Sequence, residues 1–153
     1  MASSTTLTKR PSPTDTAAMA ARLRLSATRL ARQLRQQSDA GLSPSQLSAL
    51  STIEHHGPMT LGALADHERV APPSVTKVVA KLEAAGLVQR RLDRADRRVA
   101  RVTTTGAGDA LLAKVRRRKD VWLAARLKEL RAEDRARLAA ALDVLDSLTG
   151  DRP

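Results

Sequence analysis

Apolar residues follow helical spacing along most of this chain, and that spacing changes at one place. Residues 87–92 and 99–103 are short segments rich in Val and Arg, and the charged segment 93–98 separates them. Short runs of this kind, bounded by turn-forming and charged residues, are typical of strands. The sequence therefore predicts two strands joined by a charged loop and set between helices. It contains no alternation of strands and helices that would build a parallel sheet.

Local start and stop signals divide the rest of the chain into helices. A first helix is expected from Thr16 to about Ser38, because Met, Leu and Ala recur there at helical spacing. After the strands, Thr105 caps a long helix that runs to about Leu130, and a last helix follows at about 132–148. Three helices between these are predicted from their boundaries. The first begins with a capping box at Ser43–Gln46 and ends at Gly57-Pro58, and the second begins with an N-cap at Thr60. The third begins at Pro72-Pro73 and ends with a left-handed stop at Gly86.

Composition narrows the classes of partner. Lys and Arg total 27 against 16 Asp and Glu, a formal net charge of +11, so double-stranded nucleic acid is the natural large partner. Cys, Phe and Tyr are absent and Trp122 is the only Trp, which excludes disulfides, thiolate metal sites and base-stacking platforms for single strands. No apolar run approaches the ~18 residues of a membrane span, and the first residues lack a signal peptide's apolar stretch. We therefore expect a cytoplasmic protein with no membrane contact.

The positive charge is concentrated where a DNA-binding motif is expected. A short helix, a tight break, a second helix and a ribbon with a basic tip amount to a winged helix-turn-helix. On the helix that begins at Pro72, the apolar side chains occupy one face, which leaves Ser74, Thr76, Lys77 and Lys81 outward, able to bond phosphates or bases. The tip of the ribbon carries Arg94, Arg97 and Arg98, and arginines on so thin a projection can enter a narrow minor groove.

The residues from Ser45 to Gly108 resemble the MarR family of bacterial transcription regulators, and the resemblance extends over about residues 16–149. Its most specific part is DRADRRVARVTTTGAG, residues 93–108, which is similar to the wing motif of that family. The resemblance implies that Arg98 enters the minor groove and that Asp96 helps to hold the shape of the wing. The stretch APPSVTKVVAKLEAAGLVQR resembles the family's recognition helix, which implies major-groove contacts from Pro73, Ser74, Thr76 and Lys77.

The predicted fold is mainly α, a winged helix-turn-helix with a two-stranded β-wing and flanking N- and C-terminal helices that form a dimerisation region. The terminal helices are far apart in sequence and each has an apolar stripe, so a two-fold dimer with interleaved helices is the economical arrangement. The family resemblance implies the same arrangement. The expected limits are a disordered tail at 1–14, a dimerisation helix at 15–42, the DNA-binding domain at 43–104, dimerisation helices at 105–149 and a tail at 150–153.

Other residues suggest sites less directly. The resemblance implies a cleft for small aromatic acids or phenols. One interpretation is that Trp122 stacks on such a ligand, and the competing one is that it packs in the core or at the dimer interface. Arg24 or Arg29 meets a ligand carboxylate or simply lies on a solvated face. His55 and His56 are adjacent at a helix end, where a cation suits the helix dipole. No metal, no cofactor and no catalytic arrangement is predicted.

These observations predict a dimeric, sequence-specific DNA-binding transcription regulator that recognises a pseudo-palindromic operator, acts as a repressor and responds to a small aromatic or anionic effector. Two other functions remain open on the sequence. One is an architectural protein that coats DNA without sequence choice, which an excess of unrelated duplex would displace. The other is a winged-helix module that binds protein, which would show no salt-dependent affinity for DNA.

Overall fold

A computed structural model describes residues 15–38, 40–93 and 95–149. The chain divides into two compact units, Met1–Gln36 and Gln37–Pro153. The predicted tails at 1–14 and 150–153 lie outside the described residues. The fold is the expected one, mainly helical with a two-stranded antiparallel sheet. None of the helices in the described ranges is both long enough and apolar enough to cross a membrane.

The first unit contains one described helix, α1 (Thr16–Gln36). Asp15 precedes it, and its carboxylate accepts a hydrogen bond from the backbone N–H of Ala18 at 3.1 Å, which satisfies one of the free donors of the first turn. None of the residues of α1 is buried, and Met19, Leu25 and Leu30 are among its exposed apolar side chains.

The second unit contains the remaining elements in the predicted order. They are α2 (Pro44–His56), α3 (Leu61–Glu68), α4 (Pro72–Ala84), β1 (Val88–Leu92), β2 (Ala100–Thr104), α5 (Gly106–Lys128) and α6 (Ala132–Thr149). The capping box at Ser43 is confirmed, since its hydroxyl accepts from Gln46 N and the Gln46 side chain accepts from Ser43 N. The N-caps at Thr60 and Thr105 are confirmed as well, and Gly41 and Gly86 have positive φ angles of 65° and 72°.

An aliphatic core joins α2, α3 and α4 to the base of the strand pair. Its fully buried side chains include Leu50, Leu64, Leu82 and Val102, each no more than 1% exposed. Leu112 belongs to the same cluster, so the core continues into the first turns of α5. The second half of α5 and all of α6 contribute no buried residue within the described ranges.

The strands pair in a register from Val88 opposite Thr104 to Leu92 opposite Ala100. Met59, between α2 and α3, forms a bridge with Val102, in which Val102 N donates to Met59 O at 2.8 Å. This bridge attaches β2 to the helical core. The base of the strand pair is therefore held to the helical core.

Candidate nucleic-acid interface

The start of α4 is set by its two prolines and by the preceding turn. Pro72 and Pro73 occupy helical positions whose N–H groups would have no partner within the helix, so their lack of an N–H costs nothing there. Arg69 ends α3 in the left-handed conformation, with φ 54° and ψ 43°, and Val70 N donates to Ala65 O at 3.1 Å. The three residues 69–71 form the turn between the two helices, so the first turn of α4 directly follows the end of α3.

One face of α4 is buried and the opposite face is open. Val75, Val79 and Leu82 are buried, and Val78 is half-buried beside them. The residues predicted to contact DNA are all exposed, namely Pro73, Ser74, Thr76, Lys77 and Lys81. Within the described residues neither lysine forms an ion pair. Thr76 Oγ1 donates to Pro72 O at 3.1 Å, which leaves its lone pairs free to accept a further hydrogen bond.

The tip of the wing is shaped by short-range hydrogen bonds around Asp96. Its carboxylate accepts from the backbone N–H of Arg98 at 2.9 Å, and its carbonyl accepts from Val99 N at 3.0 Å. Arg97 and Arg98 are exposed, and neither forms an ion pair within the part of the chain that the structure describes. Their guanidinium groups are thus available to an external anion. Arg94, the third predicted arginine of the tip, lies outside the described residues.

A second acid, Asp93, organises the stem of the wing, and its pairing with Arg101 was not predicted from the sequence. Its carboxylate accepts from the backbone N–H of Ala95 at 2.8 Å and pairs with the Arg101 guanidinium on β2. The Arg101 hydrogen bond, supported by the backbone donors, lowers the pKa of Asp93 from its ordinary value. The pair depends on the strand register, which places Arg91 opposite Arg101, and the sequence alone does not specify that register.

Some of the basic residues between Arg69 and Arg101 are neutralised within the protein. Besides Arg101, Arg90 on β1 pairs with Glu83 of α4 at 3.2 Å. Among the described basic residues of this stretch that have no acidic partner, Arg69 lies at the end of α3 and Arg91 on β1, and the others lie on the outer face of α4 and on the tip of the wing. These are the two elements that a winged helix-turn-helix presents to adjacent grooves of a duplex.

Close contacts fix the wing relative to the start of α5. Thr105 N donates to Leu87 O at 3.0 Å and Thr105 Oγ1 donates to Gly86 O at 2.6 Å. Gly108 lies so close to the Leu87 carbonyl that a Cβ at this position would collide with it. Only glycine fits where the first turn of α5 crosses the end of the α4–β1 connection.

Polar contacts also attach α2 to its neighbours. Arg116 on α5 donates to both carboxylate oxygens of Glu54, at 2.6 and 2.8 Å, and these hydrogen bonds lower the pKa of Glu54 from its ordinary value. Glu68 at the end of α3 accepts from the hydroxyls of Ser48 and Thr52 on α2. Neither contact could be predicted from local sequence patterns, because the residues are 16 to 62 positions apart.

Trp122, which was considered for a ligand, is half-buried on α5. The Arg126 guanidinium lies 5.4 Å from the centroid of the Trp122 ring, so one face of this half-buried indole is covered by its own helix. Arg29 is exposed on α1, in the other compact unit. The rings of His56 and His67 stack with centroids 4.5 Å apart. No group of three or more potential metal ligands occurs within the described residues.

Comparisons with known proteins agree with this geometry. A sequence model described as the MarR family matches residues 42–100. The chain is 41% identical over 138 residues to the HTH-type transcriptional regulator MT0903.1 of Mycobacterium tuberculosis, a match that covers 90% of this chain and 96% of that one. It is 33% identical over 69 residues to the HTH-type transcriptional repressor MdtR of Bacillus subtilis, covering 45% and 44%.

A solved structure is similar over most of its length. The transcriptional regulator Tm0710 from Thermotoga maritima superposes with a TM-score of 0.72 at 30% sequence identity, covering 86% of this chain and 92% of that one. The similarity therefore includes the helices on either side of the winged helix-turn-helix.

Proposed function

This chain belongs to the MarR family of DNA-binding transcription regulators, and from that premise we propose that it represses transcription as a homodimer on a pseudo-palindromic operator. Regulators of this family bind DNA, function as dimers and are not enzymes. Repression is supported by the similarity to MdtR, whose name describes a repressor. A regulator acts where the chromosome is, so we place it in the cytoplasm.

One observation carries the assignment of the interface. The open face of α4 and the tip of the wing both present basic side chains that have no acidic partner within the described residues, while Arg90 and Arg101 beside them are paired. In this proposal Pro73, Ser74, Thr76 and Lys77 contact the major groove, and Lys81 and Arg97 contact phosphates. Arg98 enters the minor groove, and Asp96 holds the backbone of the tip in position. Arg94 is proposed from the sequence alone.

The terminal helices provide the pairing surface in this proposal. Segments 15–42 and 105–149 would form the dimerisation region around the DNA-binding segment 43–104, with Leu112 of α5 contributing to the core of that segment. Two DNA-binding segments related by a two-fold axis select half-sites about one helical turn of DNA apart. A small effector that binds the free and DNA-bound shapes unequally would then change the affinity for the operator.

The experiment that tests this function is to sequence the fragments of the protein's own chromosome that the purified chain retains. We expect enrichment of a pseudo-palindrome, and binding to it that survives a large excess of unrelated duplex. Retention of all fragments alike would instead indicate a protein that coats DNA. Failure to retain any duplex in dilute buffer would contradict the proposed function.

A further inference from the structure

A cavity of about 300 Å³ lies between α2, the end of α3 and α4, within the second unit. Its volume is at the lower end of the range of about 300 to 1,000 Å³ that is typical of small-molecule sites. Most of the wall is apolar, formed by Val70, Val75, Val78, Ala49 and Pro44. Three serines and one acid complete the lining, namely Ser45, Ser48, Ser74 and Glu68.

Among the described residues that line the cavity, Glu68 alone is charged, and its carboxylate accepts two side-chain hydrogen bonds. Ser48 Oγ donates to one oxygen at 2.7 Å and Thr52 Oγ1 donates to the other at 2.5 Å. Each carboxylate oxygen can accept a second hydrogen bond. Among the residues that the structure describes, no cation pairs with Glu68. A negative group with open acceptor positions therefore borders an apolar wall in a chain of net charge +11.

From this geometry we propose that the cavity binds a compact organic cation, with an ammonium group on Glu68 and an apolar body against the valines. Charge-assisted hydrogen bonds from an ammonium would fill the acceptor positions that the serine and threonine hydroxyls leave open. An anionic compound would be repelled by the same carboxylate. This ligand class differs in charge from the small aromatic acids or phenols that the family resemblance implied.

The position of the cavity connects its ligand to DNA binding, and this second part rests on the proposed function. Ser74 and Val78 of α4 line the cavity, and Ser74 is also a proposed major-groove contact. A ligand and a duplex would therefore compete for the same turn of α4. By linkage, each would lower the affinity for the other by the same factor.

The binding site is tested without DNA, by NMR titration of the full chain with three probes of similar size. The probes are 2-phenylethylammonium, 2-phenylethanol and 3-phenylpropionate, which carry a positive, a neutral and a negative end group. We expect the amine to bind about tenfold more tightly than the other two, because a hydrogen bond to a charged group is stronger than one between neutral groups. Equal affinities for the three probes, or no binding of the amine, would overturn the proposal.

Matched variants locate the site. Glu68→Gln keeps an acceptor for one of the Ser48 and Thr52 hydroxyls and places an NH2 donor at the other, which that hydroxyl can accept. The variant removes the charge, so the affinity for the amine should fall to that for the alcohol. Glu133→Gln, at an exposed position on α6, should leave all affinities unchanged. Ser45 is an exposed residue that lines the cavity, so the larger side chain of Ser45→Phe should take up cavity volume and abolish binding of the amine. Unchanged binding to both Glu68→Gln and Ser45→Phe would place the amine elsewhere and contradict the assignment.

The coupling is tested by adding 2-phenylethylammonium to the complex with an enriched duplex, against NaCl at equal ionic strength. We expect several-fold weaker DNA binding by the wild-type chain and no effect on Ser45→Phe beyond that of NaCl. If the amine binds but the affinity for DNA is unchanged, the coupling is wrong and the site stands. If no duplex binds at all, the proposed function fails, and the NMR titration still decides whether the site exists.

Discussion

The winged helix-turn-helix and the terminal helices differ in how far their apolar side chains are buried. In the first region Leu50, Leu64 and Val79 are completely buried by α2, α3, α4 and the strands. On α6, by contrast, Leu142, Val144 and Leu148 are 51%, 60% and 67% exposed. The first region completes its core within one chain, whereas the second presents an apolar surface that one chain does not cover. The two regions therefore derive their stability from different contacts.

The largest effect is expected from truncation of the self-contained core. Leu82→Ala removes a side chain that is fully buried on α4, and we expect the free energy of unfolding to fall by about 2–5 kcal/mol. Denaturant unfolding at a fixed, low protein concentration measures it. Leu142→Ala, the same truncation on α6, serves as the control and should cost less than about 0.5 kcal/mol under those conditions. Equal losses for the two variants would remove the distinction between the regions.

The next effect concerns association rather than folding. Leu142→Glu places a charge on the exposed apolar surface of α6, and we expect the dimer dissociation constant to rise about 100-fold, or about 2.7 kcal/mol, since each dimer contains two such charges. Analytical ultracentrifugation over a range of concentrations measures the constant. Asp143→Asn, at the neighbouring exposed position, is the matched control. A dimer of unchanged affinity would show that α6 does not form the pairing surface.

A smaller effect is expected at the wing. Arg98→Ala should weaken operator binding about tenfold and lower the slope of affinity against salt by about one, because one guanidinium group is lost from the DNA contact. Fluorescence anisotropy at several salt concentrations measures both quantities. Arg117→Ala, on the exposed surface of α5, removes the same charge outside the proposed interface and should change little. Full affinity in Arg98→Ala would contradict the assignment of the wing.

The smallest effect lies where α2 meets α5. Arg116 holds the pKa of Glu54 below its ordinary value, so this pair stabilises the protein above the pKa of the unfolded chain. The contribution is lost as the pH falls through the lowered folded-state pKa. Because Arg116 is 52% exposed, we expect Glu54→Gln to cost less than about 1 kcal/mol at pH 7. Urea unfolding of both proteins at pH 7 and pH 3 measures the loss of unfolding free energy in Glu54→Gln. A loss of the same size at both pH values would contradict the assigned pH dependence.

Features governed by local rules could be predicted from the sequence. Ser43, Thr60 and Thr105 begin helices because each supplies a side-chain acceptor to the first turn, and this chemistry depends on residues three positions apart. The change from helical spacing to short Val- and Arg-rich segments likewise predicted the strand pair and its charged loop.

Features that depend on distant residues could not be predicted. The Asp93–Arg101 pair requires the strand register, and the Glu54–Arg116 pair requires the packing of α5 on α2. The cavity beside Glu68 is a gap between three helices, and no spacing in one segment encodes it. Arg69 adopts a left-handed conformation that Gly or Asn usually occupies, so its residue type gave no signal.

The aliphatic core has a practical consequence for spectroscopy. The chain has no Phe or Tyr, so α2, α3 and α4 contain no aromatic fluorophore. Unfolding of these helices therefore produces no fluorescence change from a fluorophore of their own. Trp122, half-buried on the second half of α5, reports on its own neighbourhood alone. Its emission and far-ultraviolet dichroism together therefore offer separate optical readouts of α5 and of the helical content as a whole, without any introduced label.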